Sequence, residues 1–200
     1  MFHLTHKELL ELKFWCTCDM DAERAQIDRY YAAFGLPIPF LEANAGTVLE
    51  IGTGPHWGLL PFINADLKFA CDPLFPAYEA LGLLEERNGI RRVDEPFECW
   101  DTAETFDAIV TTNALDHGEM GFYLLPKIWR MLRPGGRFYL HVHLRPVDLL
   151  NLIHDHSLTE AQLDKHLRYT DLIEERRELL NADLDGFPCQ TLIGVWRKPE

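Results

Sequence analysis

The sequence predicts an α/β fold: a doubly wound, mostly parallel sheet of about seven strands, with helices on both faces. Short apolar runs alternate with helical stretches, which is the pattern of parallel strands joined by crossover helices. A glycine-rich turn, Gly52-Thr53-Gly54, directly follows the first of these runs. The 200 residues are 47% apolar, which suits one domain with a sizeable core.

The first forty residues predict a helical extension ahead of the sheet. Thr5 and Glu8 have capping-box spacing before a leucine-rich stretch, and a second helical stretch, 22–34, ends at Gly35. We therefore divide the chain into an N-terminal helical extension, 1–40, and a main domain, 41–200. The extension carries the aromatic residues Phe14, Trp15, Tyr30, Tyr31 and Phe34. They either pack it against the edge of the sheet or form a lid that excludes water from a ligand site.

The elements of the main domain follow from apolar periodicity and turn residues. The predicted strands are 47–51, 67–72, 90–93, 106–112, 137–144 and 191–196, and the predicted helices are 57–63, 76–84, 121–132 and one that begins at a capping box of Thr159 and Gln162. Residues 171–180 stay open between two interpretations. Their apolar positions fit a helical stripe, whereas the architecture favours a strand.

Composition excludes several classes of protein. The net charge of −13 and the lack of a basic stripe disfavour nucleic acid and anionic membrane surfaces as partners. No apolar run reaches membrane-spanning length and the N-terminus lacks a signal-peptide core, so we expect a cytoplasmic protein. The five cysteines are scattered and odd in number, which predicts reduced thiols.

The sharpest motif joins glycines to an acidic residue. Glu50-x-Gly52-x-Gly54-x-x-x-Gly58 begins in the first strand, and Asp72 ends the next one. Glycines let backbone approach a ligand closely, and a carboxylate at that strand end can accept hydrogen bonds from ribose hydroxyls. The pattern predicts an adenosine-type cofactor. Trp57 stands where a dinucleotide fingerprint has its third glycine, which disfavours a nicotinamide cofactor.

Three segments resemble motifs of the class I S-adenosylmethionine-dependent methyltransferases. Residues 48–54, Val-Leu-Glu-Ile-Gly-Thr-Gly, resemble their first motif, 106–117 resemble their fourth, and Leu132-Arg-Pro-Gly-Gly-Arg-Phe138 resembles the turn before their fifth strand. The resemblance covers about residues 47–144. It implies a Rossmann-like fold, S-adenosylmethionine as cofactor and S-adenosylhomocysteine as product.

The resemblance also implies a set of cofactor-binding residues. These are Glu50, Gly52, Gly54, Asp72, Leu74, Asp94, Glu95 and Asn113. Gly52 and Gly54 would lie against the carboxypropyl and ribose groups, and Asp72 would bind the ribose hydroxyls. Leu74 would cover the adenine, whose amine would donate to Asp94 or to the equally placed Glu95. Asn113 would lie near the methionine moiety.

Histidines at the carboxyl ends of strands are the candidate catalytic residues. Imidazole can accept a proton from an acceptor group at neutral pH. His117 follows the fourth predicted strand, and His141 and His143 alternate along the fifth, so that both point to one face. We predict His143 or His117 as the catalytic base. A metal held by His141, His143 and Asp116 is an alternative, but the ligand set is incomplete and no metal is predicted.

The sequence thus predicts a methyltransferase acting on a small molecule or a saccharide. Oxygen is the expected acceptor atom, because histidines lie near the acceptor side and 113–116 lacks the Asn/Asp-Pro-Pro-Tyr motif of N-methyltransferases. Two alternatives stay open. One is an NAD(P)-dependent oxidoreductase on the same fold, and the other is a non-catalytic protein that binds S-adenosylmethionine or S-adenosylhomocysteine. The sequence does not indicate an oligomeric state.

Overall fold

One seven-stranded sheet organises the protein. The computed structural model describes residues 4–34, 46–117, 121–144, 158–184 and 187–200. The strands are β1 (Thr47–Ile51), β2 (Leu67–Cys71), β3 (Ile90–Val93), β4 (Phe106–Thr112), β5 (Leu132–Leu144), β6 (Ile173–Leu184) and β7 (Phe187–Arg197). Their order is β3-β2-β1-β4-β5-β7-β6. The first five are parallel, and β7 runs antiparallel to both β5 and β6. The predicted doubly wound, mostly parallel sheet is confirmed.

Helices cover both faces of this sheet. They are α1 (His6–Thr17), α2 (Met20–Ala33), α3 (Phe75–Ala80), α4 (Leu125–Met131) and α5 (Glu160–Leu167), with short 3₁₀ helices at Leu60–Phe62 and Gly121–Leu124. Both predicted capping boxes are present: Thr5 with Glu8 at α1, and Thr159 with Gln162 at α5. Among the described helices, none is long and apolar enough to cross a membrane.

The core consists of two apolar clusters, one on each face. Alternate residues of β1 enter different clusters, Val48 on one side and Leu49 on the other. The cluster with Leu49 includes residues of α4 and α5, and the cluster with Val48 includes residues of α1 and α3. Burial on both faces explains why the parallel strands appear as continuous apolar runs.

The predicted helix at 57–63 is wrong. Residues 57–59 form turns, and only Leu60–Phe62 forms a 3₁₀ helix. Trp57 has φ +69°, outside the helical region, and the side chain of Glu50 binds the backbone N–H groups of Leu59 and Leu60. The left-handed backbone at Trp57 and Gly58, whose φ is +53°, prevents a regular α-helix here, and β2 begins five residues after the 3₁₀ helix.

The open segment 171–180 belongs to a strand. β6 pairs with β7 from Ile173 opposite Arg197 to Leu184 opposite Phe187, so that the two form a long hairpin at the sheet edge. Other elements differ in extent: α3 is shorter than the predicted 76–84, β5 begins at Leu132 instead of Arg137, β7 begins at Phe187 instead of Thr191, and the predicted helix 121–132 is a 3₁₀ helix followed by α4. The predicted boundary at 40/41 lies outside the described residues. None of the five cysteines forms a disulfide, as predicted.

Candidate active site

The glycine-rich turn after β1 is shaped by close packing as well as by backbone conformation. Gly52 and Gly54 have φ +70° and +61°, a region that L side chains rarely adopt. A Cβ at Gly52 would lie 2.2 Å from the Cβ of Ala114, which follows β4. A Cβ at Gly54 would lie 3.0 Å from the ring of Trp15 on α1. The turn therefore lies between the end of β4 and the N-terminal extension.

Glu50 lies beneath this turn and is fully buried. Its Oε2 accepts hydrogen bonds from the backbone N–H groups of Leu59, at 2.8 Å, and Leu60, at 3.1 Å, and its Oε1 accepts one from the Thr112 hydroxyl at 3.3 Å. Burial raises the pKa of Glu50 to about 8, although these hydrogen bonds oppose the rise. The Glu50 side chain therefore lies on the buried side of the turn, where its hydrogen bonds hold the backbone in place, and not on the outer surface of the turn.

Asp72 connects the end of β2 to the turn. Its Oδ2 accepts a hydrogen bond from the Gly54 N–H at 2.8 Å, and its Oδ1 accepts one from the Leu74 N–H at 2.9 Å. Burial raises the pKa of Asp72 to about 6 against the effect of these two bonds. Each carboxylate oxygen has a second lone pair, so Asp72 keeps acceptor capacity for a ligand. Leu74 is buried beside it.

Asp94 and Glu95 follow β3 at the same edge of the sheet. Asp94 is exposed and forms a bidentate pair with Arg92, with distances of 3.1 Å from Nε and 3.0 Å from Nη2. Glu95 is exposed, and its backbone carbonyl oxygen lies 3.5 Å from the Cys71 Sγ. Because β3 pairs with β2 in parallel, these side chains and Asp72 share one sheet edge. The pair with Arg92 leaves Glu95 as the less constrained of the two predicted adenine-binding residues.

Asn113 lies at the end of β4 in a left-handed conformation, with φ +50°. Its N–H donates to the backbone carbonyl of His141 at 2.7 Å, which connects the ends of β4 and β5. Its side-chain Oδ1 is buried and has no hydrogen-bond partner among the described residues. A buried acceptor without a partner fits a ligand that brings a donor, such as an ammonium group.

His141 and His143 point to one face of β5, as predicted, with ring centroids 5.6 Å apart. Nδ1 of His143 lies 2.8 Å from the Thr191 hydroxyl on β7. The His141 ring lies 4.4 Å from that of Tyr30 on α2, and its Nδ1 has no hydrogen-bond partner in the described part of the chain. Burial and the neighbouring His143 lower the pKa of His141 to about 4, so this imidazole is neutral at pH 7.

His117 pairs with the N-terminal extension. Its Nδ1 lies 3.3 Å from Glu11 Oε2 on α1, and its Nε2 lies 3.9 Å from Asp116 Oδ1. Burial acts to lower the pKa of His117, but the hydrogen bond to Glu11 and the charge of Asp116 outweigh it and raise the pKa. While this pair is formed, His117 favours its protonated form and is a poor proton acceptor.

The N-terminal helices cover the site through contacts that the sequence did not reveal. The Trp15 indole N–H donates to Glu11 Oε1 at 2.9 Å, and its ring meets His56 edge-on at 5.7 Å. Arg24 of α2 forms a 2.7 Å ion pair with Glu85. The i, i+4 spacing of Glu11 and Trp15 could have indicated a shared helix face. Nothing in the sequence links that face to His117.

The described residues contain no group of three or more His, Cys, Asp or Glu side chains arranged to hold a metal ion. His143 instead contacts Thr191, and His141 contacts Tyr30. The site fits an adenosyl cofactor better. It offers backbone without a Cβ at Gly54, a buried carboxylate at Asp72 and the free acceptor of Asn113.

Comparison with known proteins identifies the family. A family model described as a methyltransferase domain matches residues 23–185, most of the chain. The chain therefore belongs to the methyltransferase domain family. Its Rossmann-like fold and its motifs make it a class I S-adenosylmethionine-dependent methyltransferase, with S-adenosylmethionine as cofactor. No curated protein matches the chain.

Solved structures share the fold along nearly the whole chain. The N-methyltransferase NodS from Bradyrhizobium japonicum WM9 aligns with a TM-score of 0.64 and 21% identity over 91% of this chain and 99% of its own. The 1,6-didemethyltoxoflavin-N1-methyltransferase from Burkholderia thailandensis, solved with 1,6-didemethyltoxoflavin and S-adenosylhomocysteine, aligns with a TM-score of 0.65 and 18% identity. That alignment covers 97% of this chain and 87% of the other.

Proposed function

We propose that this methyltransferase methylates an oxygen atom of a small-molecule or saccharide acceptor. The observation that carries the proposal is the pair of buried histidines, His141 and His143, side by side at the carboxyl end of β5 and next to Asn113. A hydroxyl acceptor must lose its proton as it is methylated, and a neutral imidazole can take that proton. The expected product of the cofactor is S-adenosylhomocysteine.

The cofactor would be held by residues at the carboxyl ends of four strands. The backbone at Gly52 and Gly54 would lie along it, Asp72 would accept hydrogen bonds from the ribose hydroxyls, and Asn113 Oδ1 would accept one from the ammonium group. Leu74 would cover the adenine, with Glu95 or Asp94 accepting from its amine. When bound, S-adenosylmethionine supplies an electrophilic methyl group. Glu50 would act indirectly, by holding the turn.

We assign His143 as the general base. Its contact with Thr191 at 2.8 Å fixes the orientation of the ring, as a catalytic histidine requires. His141 remains neutral but is a weaker base, because its pKa is lowered to about 4. The hydrogen bond to Glu11 helps raise the pKa of His117 and so favours its protonated form, and we therefore assign His117 an electrostatic role instead of proton abstraction. Trp15 would exclude water from the turn.

A nitrogen acceptor is the second candidate. The two structural neighbours described above are N-methyltransferases by name. A neutral amine has its lone pair available without prior deprotonation, so it does not need a strong base. The two candidates therefore differ in how far transfer depends on His143.

The test measures methyl transfer to a panel of hydroxyl and amine acceptors, with the methylated product detected by mass spectrometry. His143→Asn should lower kcat for a hydroxyl acceptor by about 10²- to 10⁴-fold, the usual contribution of a general base, with little change in cofactor affinity. His166→Asn is the control, because His166 is also buried but lies on α5 beside Tyr123. Transfer to oxygen that survives His143→Asn would refute the assignment, and transfer to amines alone would favour the second candidate.

A further inference from the structure

Helix α1 brings a carboxylate to the cofactor site. Glu11 is only 22% exposed and lies between the Trp15 indole, which packs on Gly54, and the imidazole of His117, which follows β4. The charges of Glu11 and His117 both act on the pKa of Asp72, the predicted ribose-binding residue. Glu11 therefore lies above the region bounded by Gly54, Asp72 and the end of β4.

The cofactor changes charge during the reaction. S-adenosylmethionine carries a sulfonium, whereas S-adenosylhomocysteine has a neutral thioether and so one positive charge fewer. A fixed negative charge near the site stabilises bound S-adenosylmethionine more than bound S-adenosylhomocysteine, because only S-adenosylmethionine carries the additional positive charge on sulfur. The acidic side chains there are Glu11, Asp72 and Asp116, and the raised pKa of His117 favours a cation that opposes them.

We propose that Glu11 is a specificity-determining residue that makes the site prefer cationic S-adenosylmethionine to uncharged S-adenosylhomocysteine. The inference rests on the cofactor site described under the proposed function. Helix α1 would then do more than cover the site. The preference weakens binding of S-adenosylhomocysteine relative to S-adenosylmethionine, and so assists replacement of the product by fresh cofactor after each turnover. His117 moderates the effect, since it neutralises part of the Glu11 charge.

Two variants should shift the preference in opposite directions. Glu11→Gln, made in the His117→Asn background so that no imidazole responds to the lost charge, keeps the side-chain shape, and relative to His117→Asn the ratio of the two affinities should fall about 2- to 5-fold at the expense of S-adenosylmethionine. His117→Asn removes the opposing cation and should raise the ratio. A purely structural contact between Glu11 and His117 would weaken both ligands equally in both variants.

The experiment is isothermal titration of the full chain with each ligand in turn. Glu8→Gln in the His117→Asn background is the matched control, because it removes the same charge from the same helix while glutamine can still complete the capping box. The inference is supported by opposite shifts in the two variants with no shift in Glu8→Gln. It is overturned if wild-type protein binds both ligands and Glu11→Gln leaves the ratio measured for His117→Asn unchanged, and in that case the cofactor site still stands. Wild-type protein that binds neither ligand refutes the cofactor site itself.

Discussion

Glu50 belongs to the predicted cofactor-binding motif, but its side chain stabilises the fold. It is fully buried, and both of its carboxylate oxygens bind groups of the protein. The motif placed Glu50 in the first strand, just before the glycine-rich turn, and the structure confirms that position. The motif could not reveal the direction of the side chain, because that depends on Leu59 and Leu60 folding back over it.

The raised pKa of Glu50 predicts a pH-dependent stability. Folded Glu50 keeps its proton up to about pH 8, whereas the unfolded chain releases it near the ordinary glutamate pKa of 4.5. The folded state thus binds the extra proton in this window, and stability falls as pH rises through it. From about pH 6.5 to about pH 9 the free energy of unfolding should fall by about 2 kcal/mol on account of Glu50.

Denaturant unfolding of wild type and Glu50→Gln across this range tests the prediction. Glutamine can still accept a backbone hydrogen bond but does not ionise, so the variant should lose this part of the slope. His141 has the opposite sign, because its lowered pKa makes stability rise with pH, but that contribution is complete above about pH 6.5. His117, with its raised pKa, acts in both proteins and cancels in the comparison. Parallel curves for the two proteins would contradict the prediction.

At the scale of elements, a cation holds the loop after β3. Nζ of Lys127, on α4, donates to three backbone carbonyls, those of Phe97 at 2.5 Å, Glu98 at 3.1 Å and Trp100 at 2.6 Å. The ammonium also lies over the ring of Phe97. The loop is continuous with Glu95, so α4 stabilises the segment predicted to meet the adenine.

Lys127→Met should therefore destabilise the protein. It leaves three carbonyls without their shared donor, which should cost about 2 kcal/mol or more and lower Tm. Lys165→Met on α5 is the control, because that side chain is exposed and its loss should change stability by less than about 0.5 kcal/mol. Equal thermal unfolding of the two variants would show that the loop does not depend on Lys127.

Strands were easier to predict than helices. Buried parallel strands appear as apolar runs, so β1 and β4 have the predicted bounds. The helix expected at 57–63 failed because Trp57 and Gly58 adopt left-handed backbone conformations, φ +69° and +53°, which a right-handed α-helix cannot contain. Residues 171–180 could not be decided from periodicity, because an edge strand with one partner, β7, exposes apolar residues such as Leu179 and Leu180.

At the scale of the whole molecule, the site follows from the topology. Strand order reverses between β1 and β4, and such a switch point is where open α/β sheets bind ligands. The sequence therefore indicated the strand ends that meet there, with Asp72, Asn113 and His143. The sequence offered a lid as one of two roles for the N-terminal helices but could not indicate its contacts, since those of Glu11 with His117 and Tyr30 with His141 join segments about a hundred residues apart.

The most direct test of this account is titration of the protein with S-adenosylmethionine, S-adenosylhomocysteine, NADH and NADPH. We expect the adenosyl pair alone to bind, and Asp72→Asn to weaken that binding by about tenfold or more, because it disturbs both the ribose acceptor and the Gly54 contact. Asp66→Asn should have no effect, since Asp66 lies exposed at the opposite end of β2. Binding of a nicotinamide cofactor, or equal affinity in the two variants, would contradict the site.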